Sequence, residues 1–317
     1  MNTKKLSLGI DTSNYKTSVA VVDNEGNVLF NSQKFLNVKE GERGLRQSDA
    51  LFQHIQKLPD EIRYVLSDSD IRDNIGCVSV STKPRPIEGS YMPVFTAGIG
   101  AAKMISTSLN VPMYEYSHQE GHIEAVKFYS DLKHINKPFV CFHFSGGTTE
   151  AILVDKSQNR FEIVGGSKDI AYGQVVDRIG VALGMSFPSG EEMDRIACTT
   201  EANSTLFTKI KVKDCFVNLS GIETQGQRLI NDCTKEELIS GLFKTLAKSI
   251  SDMTLQITDK YSVHDFIFAG GVSSSQFIRE YLNNSLPNNI NTVFGDPKLS
   301  QDNAIGTALL GGHNIWL

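Results

Sequence analysis

Two histidines offer the first possible chemistry. His118 and His122 stand at i and i+4 in Ser117-His118-Gln119-Glu120-Gly121-His122. On a helix that spacing puts both imidazoles on one face, close enough to share a metal ion. It equally suits two solvated histidines on a surface helix. A small-residue turn, Ser145-Gly146-Gly147-Thr148-Thr149, presents backbone N–H groups and hydroxyls without bulk. It reads as a cradle for phosphate or carboxylate, or as a plain tight turn. Gly270-Gly271 separates an apolar run from a helical one. Backbone could approach a nucleotide there, with a helix N-terminus facing an anion. Neither glycine pair fits the Walker A pattern or the Gly-x-Gly-x-x-Gly fingerprint, so P-loop and Rossmann folds are disfavoured. Three carboxylates mark junctions: Asp11 ends the first apolar run, Asp302 precedes the last, and Asp177 lies in a helical stretch. Each is a solvated charge or a partner for metal, water or phosphate; only their joint placement favours a site. His143, inside an apolar run, reads as a core or pocket residue.

These residues need elements to position them. Leu6–Ile10 and Thr17–Val22 read as two strands joined by the turn formers Asp11-Thr12-Ser13-Asn14. The plan recurs: Phe139–Phe144, the Ser/Gly/Thr turn, then Ala151–Val154, each hairpin ending in Val-Asp. That recurrence suggests a duplicated architecture. Helical periodicity covers Ser48–Leu66, with Leu51, Ile55, Leu58, Ile62 and Val65 on one side. A strand is expected over Ile75–Ser81 and a small-residue helix over Phe95–Leu109. A strand at Asp265–Ala269 precedes a helix from Ser274 to Leu282, and a last small-residue helix spans Ala304–Gly311. Strands, glycine turns and helices in this alternation indicate an α/β protein. The expected domains are 1–115 with the returning C-terminal helix (about 300–317), and 116–299.

Composition narrows the class. The chain has 317 residues, 40% hydrophobic and 21% charged, with a net charge of −5. That excludes disorder as the main state, and an acidic chain can contact nucleic acid only through a local basic patch. Its five cysteines form no Cys-x-x-Cys pair, which argues against a disulfide framework and a cysteine zinc site. The apolar run after Lys4 and Lys5 stops at Asp11, too short for a signal-peptide core, and no stretch approaches transmembrane length. The expectation is a soluble cytoplasmic protein without membrane contact.

In order, the chain carries Gly9-Ile10-Asp11-Thr12-Ser13, His118-x-x-x-His122, Ser145-Gly146-Gly147, Asp177 with Pro188-Ser189-Gly190, Ala269-Gly270-Gly271-Val272, and Asp302-Asn303. With these it resembles the bacterial TsaD family of tRNA threonylcarbamoyladenosine transferases, relatives of the KEOPS catalytic subunit once labelled glycoproteases. The resemblance spans nearly the whole chain. It implies an actin-like ATPase fold, with two duplicated α/β halves around a central cleft. It implies one divalent ion, iron or zinc, on His118, His122 and Asp302. It implies an adenine nucleotide or adenylate along His143, Phe144, Ser145, Gly146, Gly147, Asp177, Gly190, Gly270, Gly271 and Ser275, and a catalytic place for Asp11. The implied reaction moves a threonylcarbamoyl group from its adenylate to N6 of the adenosine beside the tRNA anticodon. The implied partners are tRNA and TsaB-like and TsaE-like proteins. Peptidase activity is disfavoured, because Gln119 stands where a His-Glu-x-x-His protease has its base.

The chain departs from the family pattern around the nucleotide. Thr148 replaces the His after Ser-Gly-Gly, and Ser275 the Asn that reads adenine. Glu223 ends Ser220-Gly221-Ile222-Glu223 in place of Lys. Lys83-Pro84-Arg85-Pro86 replaces a Gly-Pro-Gly loop, and Ser189 the first Gly of Pro-Gly-Gly. The metal shell is thus intact and the nucleotide shell altered. Alternative readings are a paralogue acting on another nucleotide-linked carbamoyl or acyl substrate, or a non-catalytic scaffold; retention of the metal residues argues against the scaffold. For tRNA contact, Lys209, Lys211 and Lys213 alternate with Ile210 and Val212. On a strand all three would share one face, as a phosphate-binding row or as charges guarding a sheet edge. Lys83 and Arg85 are a second basic candidate.

Overall fold

Apolar β-formers, uninterrupted by charge until Asp11, make β1 (Leu6–Thr12) a strand buried along its whole length. In this computed structural model, residues 5–13, 15–38, 45–155, 160–201, 206–295 and 303–316 are described. The chain divides into two compact units, Met1–Tyr129 with Lys298–Leu317, and Ser130–Pro297.

The first unit continues with β2 (Lys16–Val22), β3 (Val28–Phe35), α1 (Gln47–Ser67), the short α2 (Ser69–Arg72), β4 (Ile75–Lys83), α3 (Phe95–Leu109), β5 (Met113–Ser117) and α4 (His118–Phe128). Its sheet has the order β3-β2-β1-β4-β5. The β1/β2 and β2/β3 pairs are antiparallel, and β4 is parallel to both β1 and β5. The boundary differs from the sequence expectation: α4, with both histidines, belongs to the first unit instead of opening the second. That helix follows β5, the last strand of this sheet, with no intervening residue.

The second unit comprises β6 (Phe139–Phe144), β7 (Thr149–Asp155), β8 (Arg160–Ser167), α5 (Tyr172–Ala182), α6 (Gly190–Thr199), β9 (Phe216–Val217), α7 (Ser220–Leu229), α8 (Lys235–Tyr261), β10 (Asp265–Ala269), a 3-10 turn (Gly271–Ser274), α9 (Gln276–Ser285) and β11 (Asn291–Phe294). Its order is β11-β10-β6-β7-β8-β9. The plan of the first sheet recurs: an antiparallel three-strand meander whose first strand pairs in parallel with a later one. A row of rings crosses the strands. Phe142 and Phe268 centroids lie 4.9 Å apart, as do those of Phe268 and Phe294. The long α8 starts at a capping box between Thr234 and Glu237 and buries Leu238, Leu242, Leu246 and Ile250 against this sheet.

The last helix, α10 (Ile305–Gly312), packs in the first unit on β1 and α4. Its glycines and alanines allow close approach: a Cβ on Gly306 would lie 1.8 Å from the Gly121 carbonyl oxygen, and one on Gly9 2.4 Å from that of Ala304.

Candidate functional site

The helix carrying the histidines has a fixed starting point. Ser117 Oγ accepts the Glu120 N–H (3.2 Å) and Glu120 Oε2 accepts the Ser117 N–H (2.7 Å). This capping box satisfies two otherwise unpaired backbone donors and makes His118 the first helical residue. Glu120 is thereby a structural residue, and the Ser-x-x-Glu spacing that signals it is legible in the sequence.

One turn on, His122 comes round beside His118, and their Nε2 atoms lie 2.9 Å apart. His118 Nδ1 lies 2.8 Å from Asp11 Oδ2 at the end of β1. A carboxylate only accepts, so Nδ1 carries the proton and the His118 Nε2 lone pair is directed toward His122. A carboxylate behind a histidine is how proteins fix the tautomer of a metal-binding imidazole. Two nitrogens about 2.0–2.1 Å from one ion would be about 2.9–3.4 Å apart for angles between right and tetrahedral. The pair therefore fits a metal ion. The third expected ligand, Asp302, lies outside the described residues, and among those described no group of three His, Cys, Asp or Glu side chains is placed to hold an ion.

Asp11 is itself held. It is fully buried, and Oδ1 accepts the Ser13 N–H (3.0 Å). His54 of α1 donates from Nε2 to the Ser13 carbonyl (2.7 Å) and accepts at Nδ1 from the Thr17 hydroxyl (2.8 Å). His54 is also fully buried, and burial pushes its pKa below the usual histidine value of 6.5. Nothing in the local sequence marks His54, because its partners are 41 and 37 residues away. The altered loop meets the same helix: the Pro84 carbonyl accepts the Gln119 N–H (3.1 Å).

The second unit gathers most of the expected nucleotide residues. The 145–148 turn closes with a Ser145 N–H to Thr148 carbonyl bond of 2.9 Å. Ser145 Oγ accepts the N–H groups of Gly147 (3.3 Å) and Thr148 (3.0 Å), so this hydroxyl braces the turn. Gly173, in the first turn of α5, approaches closely: a Cβ there would lie 2.6 Å from the Ser145 carbonyl oxygen. Gly270, at φ +92°, abuts the Phe144 carbonyl, where a Cβ would meet oxygen at 2.3 Å. At Gly146, Gly147 and Gly271 a Cβ would meet nothing within 4 Å. These three glycines thus present exposed backbone with open space before it.

Other expected residues take structural roles. The Phe144 ring is fully buried against Tyr172 and Phe142, so it belongs to the core. His143 is half-buried at the end of β6, opposite Ala269. Asp177 Oδ1 accepts the Ser189 N–H (2.9 Å), fixing the turn before Gly190. Ser275 caps α9 by accepting the Ile278 N–H (3.1 Å) and donates to Asp194 of α6. Glu223 pairs with Arg178 at 2.9 Å. Asp169, which the sequence reading passed over, accepts the Leu219 (2.8 Å) and Ser220 (3.0 Å) N–H groups. Burial raises its pKa, but these N–H groups and that of Ile170 outweigh it and hold the carboxyl well below the usual range. The three lysines do not lie on a strand. Residues 208–212 are in no ladder, and only Lys213 makes an isolated bridge, to Phe216.

Comparison with known proteins defines the class. Solved structures of similar fold include HypF from T. kodakarensis (TM-score 0.61, 12% identity, 98% of this chain and 48% of that one). They also include component A of (R)-2-hydroxyglutaryl-CoA dehydratase from Acidaminococcus fermentans (TM-score 0.56, 13% identity, 98% of each chain). A ROK-family glucokinase from Streptomyces griseus aligns at TM-score 0.54 with 10% identity, over 97% of this chain and 99% of that one. The fold is the actin-like ATPase fold. Residues 28–309 match the sequence model of TsaD, tRNA N6-adenosine threonylcarbamoyltransferase, and the chain belongs to that family of transferases. Relatives of that name from Clostridium novyi (29% identical) and Clostridium kluyveri (30%) each align over 95% of this chain and 90% of their own length. Among the described residues no helix is long and apolar enough to cross a membrane.

Proposed function

We propose that this protein transfers a threonylcarbamoyl group from its adenylate to N6 of the adenosine beside the tRNA anticodon, with a divalent ion, iron or zinc, held by His118, His122 and Asp302. The Asp11–His118–His122 chain, with its two Nε2 atoms 2.9 Å apart, carries the reading. When bound, such an ion supplies Lewis-acid polarisation of the carbamoyl carbonyl and a template for the adenylate.

The chain's own residues do the rest. Asp11 is a positioning residue: it fixes the tautomer and rotation of His118 and is fixed by Ser13. The bare backbone at Gly146, Gly147 and Gly271 receives the adenylate, with His143, Asp177, Gly190 and Gly270 bordering it. In the transfer, N6 attacks the carbamoyl carbonyl carbon, a new N–C bond forms, the bond to the phosphate oxygen breaks, and AMP leaves as N6 loses a proton. The family resemblance adds TsaB-like and TsaE-like partners and a cytoplasmic location.

One observation favours a second reading. The Ser275 hydroxyl is engaged with Asp194 and the α9 cap, and Glu223 with Arg178. The amide that reads adenine in the family is missing, and its substitute faces other work. A paralogue using another nucleotide-linked carbamoyl or acyl donor would be built this way.

Two measurements test these readings. Elemental analysis should find stoichiometric metal in the wild type and little in His122→Ala; equal content in both would remove the metal site. Wild-type protein should incorporate labelled threonylcarbamoyl into tRNA from the adenylate. Full metal content without incorporation would favour the paralogue.

A further inference from the structure

The segment 206–215 lies along α8 as a stapled arm. Phe207, Ile210 and Cys215 are buried in the core of the second unit, and Val212 packs against it. Between these anchors Lys209, Lys211 and Lys213 are all exposed. The in–out alternation therefore holds without a ladder, because the apolar side chains impose it. Gln256 of α8 fastens the backbone at two points: its Nε2 donates to the Val212 carbonyl (3.0 Å) and its Oε1 accepts the Cys215 N–H (3.1 Å).

The three lysines, with Val212, Asp252, Leu255 and Gln256, line one surface depression of about 640 Å³. Its one carboxylate is shared: Asp252 pairs with Lys209 (3.1 Å) and with Lys248 (3.2 Å), a turn earlier on α8. Among the described residues no carboxylate pairs with Lys211 or Lys213. Lys260, at the next-but-one i+4 position after Asp252, adds an exposed cation to the same helix line. The arrangement is locally positive on a chain of net charge −5. The edge-guarding explanation for alternating lysines needs an exposed strand edge along them. At Lys209 and Lys211 the arm forms no strand; Lys213 alone bridges to Phe216 of β9, the last strand of the sheet, so edge guarding accounts for at most that one lysine.

We propose that this depression docks the phosphate backbone of tRNA, with Lys209, Lys211 and Lys213 each neutralising a phosphate. The proposal rests on the tRNA reading above and adds the surface that holds the substrate. The backbone that carries these exposed ammonium groups is pinned by Gln256 and three apolar anchors, so binding orders the lysine side chains but not the chain that carries them. Successive lysines two residues apart lie at most about 7 Å from each other along the backbone, within a side chain's reach of successive phosphates.

The test uses the full chain. Binding of fluorescently labelled tRNA is followed between about 50 and 200 mM salt, for wild type and for the triple variant Lys209→Gln, Lys211→Gln, Lys213→Gln. Lys103→Gln, on an exposed position of α3, controls for general charge. Each lost phosphate contact removes about 0.7–0.9 from the slope of log affinity against log salt, so the triple variant should lose roughly two to three units and Lys103→Gln none. The KM for tRNA in the transfer assay should rise in parallel. If wild type binds and modifies tRNA and the triple variant matches it in slope and KM, the groove is excluded and the functional reading stands. If wild type binds no tRNA even at the lowest salt, both fall together.

Discussion

His54 shows how a buried side chain can brace a candidate site that it does not touch. It holds the Ser13 carbonyl and the Thr17 hydroxyl, and through Ser13 it sets the loop that fixes Asp11 and then His118. Burial lowers its pKa from 6.5. It is therefore neutral in the fold at a pH where the unfolded chain's histidine binds a proton. Its contribution to stability is full above about 6.5 and is lost as the pH falls below that toward its folded value. The wild type should accordingly lose stability between pH 7 and pH 5 by a step that His54→Gln lacks, read as the difference between their thermal midpoints across that range. At pH 7 the same variant should be less stable by about 2 kcal/mol, from two buried hydrogen bonds at roughly 1 kcal/mol each. Parallel pH profiles for the two proteins would show that His54 does not titrate on unfolding. The closeness of His118 and His122 was legible from their i, i+4 spacing, but His54 was not, since contacts across some forty residues leave no local pattern. Among the cysteines, Cys141 is fully buried in β6, and burial pushes its thiol far up, away from thiolate chemistry.

At the scale of elements, local chemistry predicted what local forces decide. The helices over 95–109 and 304–311 were read from small residues in periodic runs, and α3 and α10 lie there within a residue. The lysine arm alternates without forming a strand at 208–212, because alternation specifies which side chains point inward, and a strand additionally needs a partner. Ile210 and Val212 found the core of α8 and the sheet instead. The resemblance assigns Ser275 to the ligand; a Ser before a helical run is also a cap, and its hydroxyl accepts the Ile278 N–H at the start of α9. The glycines separate by what surrounds them. In Gly306→Ala the new methyl would sit 1.8 Å from the Gly121 carbonyl on α4. The gain in helix propensity is at most about 1 kcal/mol, whereas forcing two packed backbones apart costs about 1–3 kcal/mol or more. The variant should therefore unfold at lower denaturant and, because α4 carries His118 and His122, bind metal less well. Gly146→Ala should instead match the wild type in denaturant midpoint, having nothing within 4 Å to displace. An unchanged midpoint for Gly306→Ala would mean that α10 and α4 have room to part.

The whole molecule repeats one plan: in each unit a meander of three strands is extended in parallel by two later ones. The duplication was legible because strand, small-residue turn and strand recur with the same ending. The unit boundary was not, because it depends on where α4 packs, and α4's partner is a helix some 180 residues further along the sequence. That helix makes the first unit discontinuous and gives the last prediction. Residues 304–316 bury Ile305, Ala308 and Leu309 in a cluster with Ala20 and Val22 of β2 and Phe128 of α4. They accept the Ser7 hydroxyl at Ala308 (2.6 Å), donate from the Trp316 indole to the Lys5 carbonyl (2.7 Å), and set His313 3.0 Å from the buried Glu124. Burying Ile305 and Leu309 stabilises by about 1.5–3 kcal/mol each, and each of these polar contacts adds about 1 kcal/mol. The sum is on the order of 6–9 kcal/mol, comparable to the entire stability of a typical domain at about 5–15 kcal/mol. Truncation after Asn303 should therefore unfold the first unit and leave the second standing. Amide hydrogen exchange resolves the two: protection should vanish from β1, β2 and β4 and persist in β6, β7 and β10. Protection that persists in β1 would show that the first unit holds without its returning helix. Loss throughout both sheets would show that the two units fold only as one.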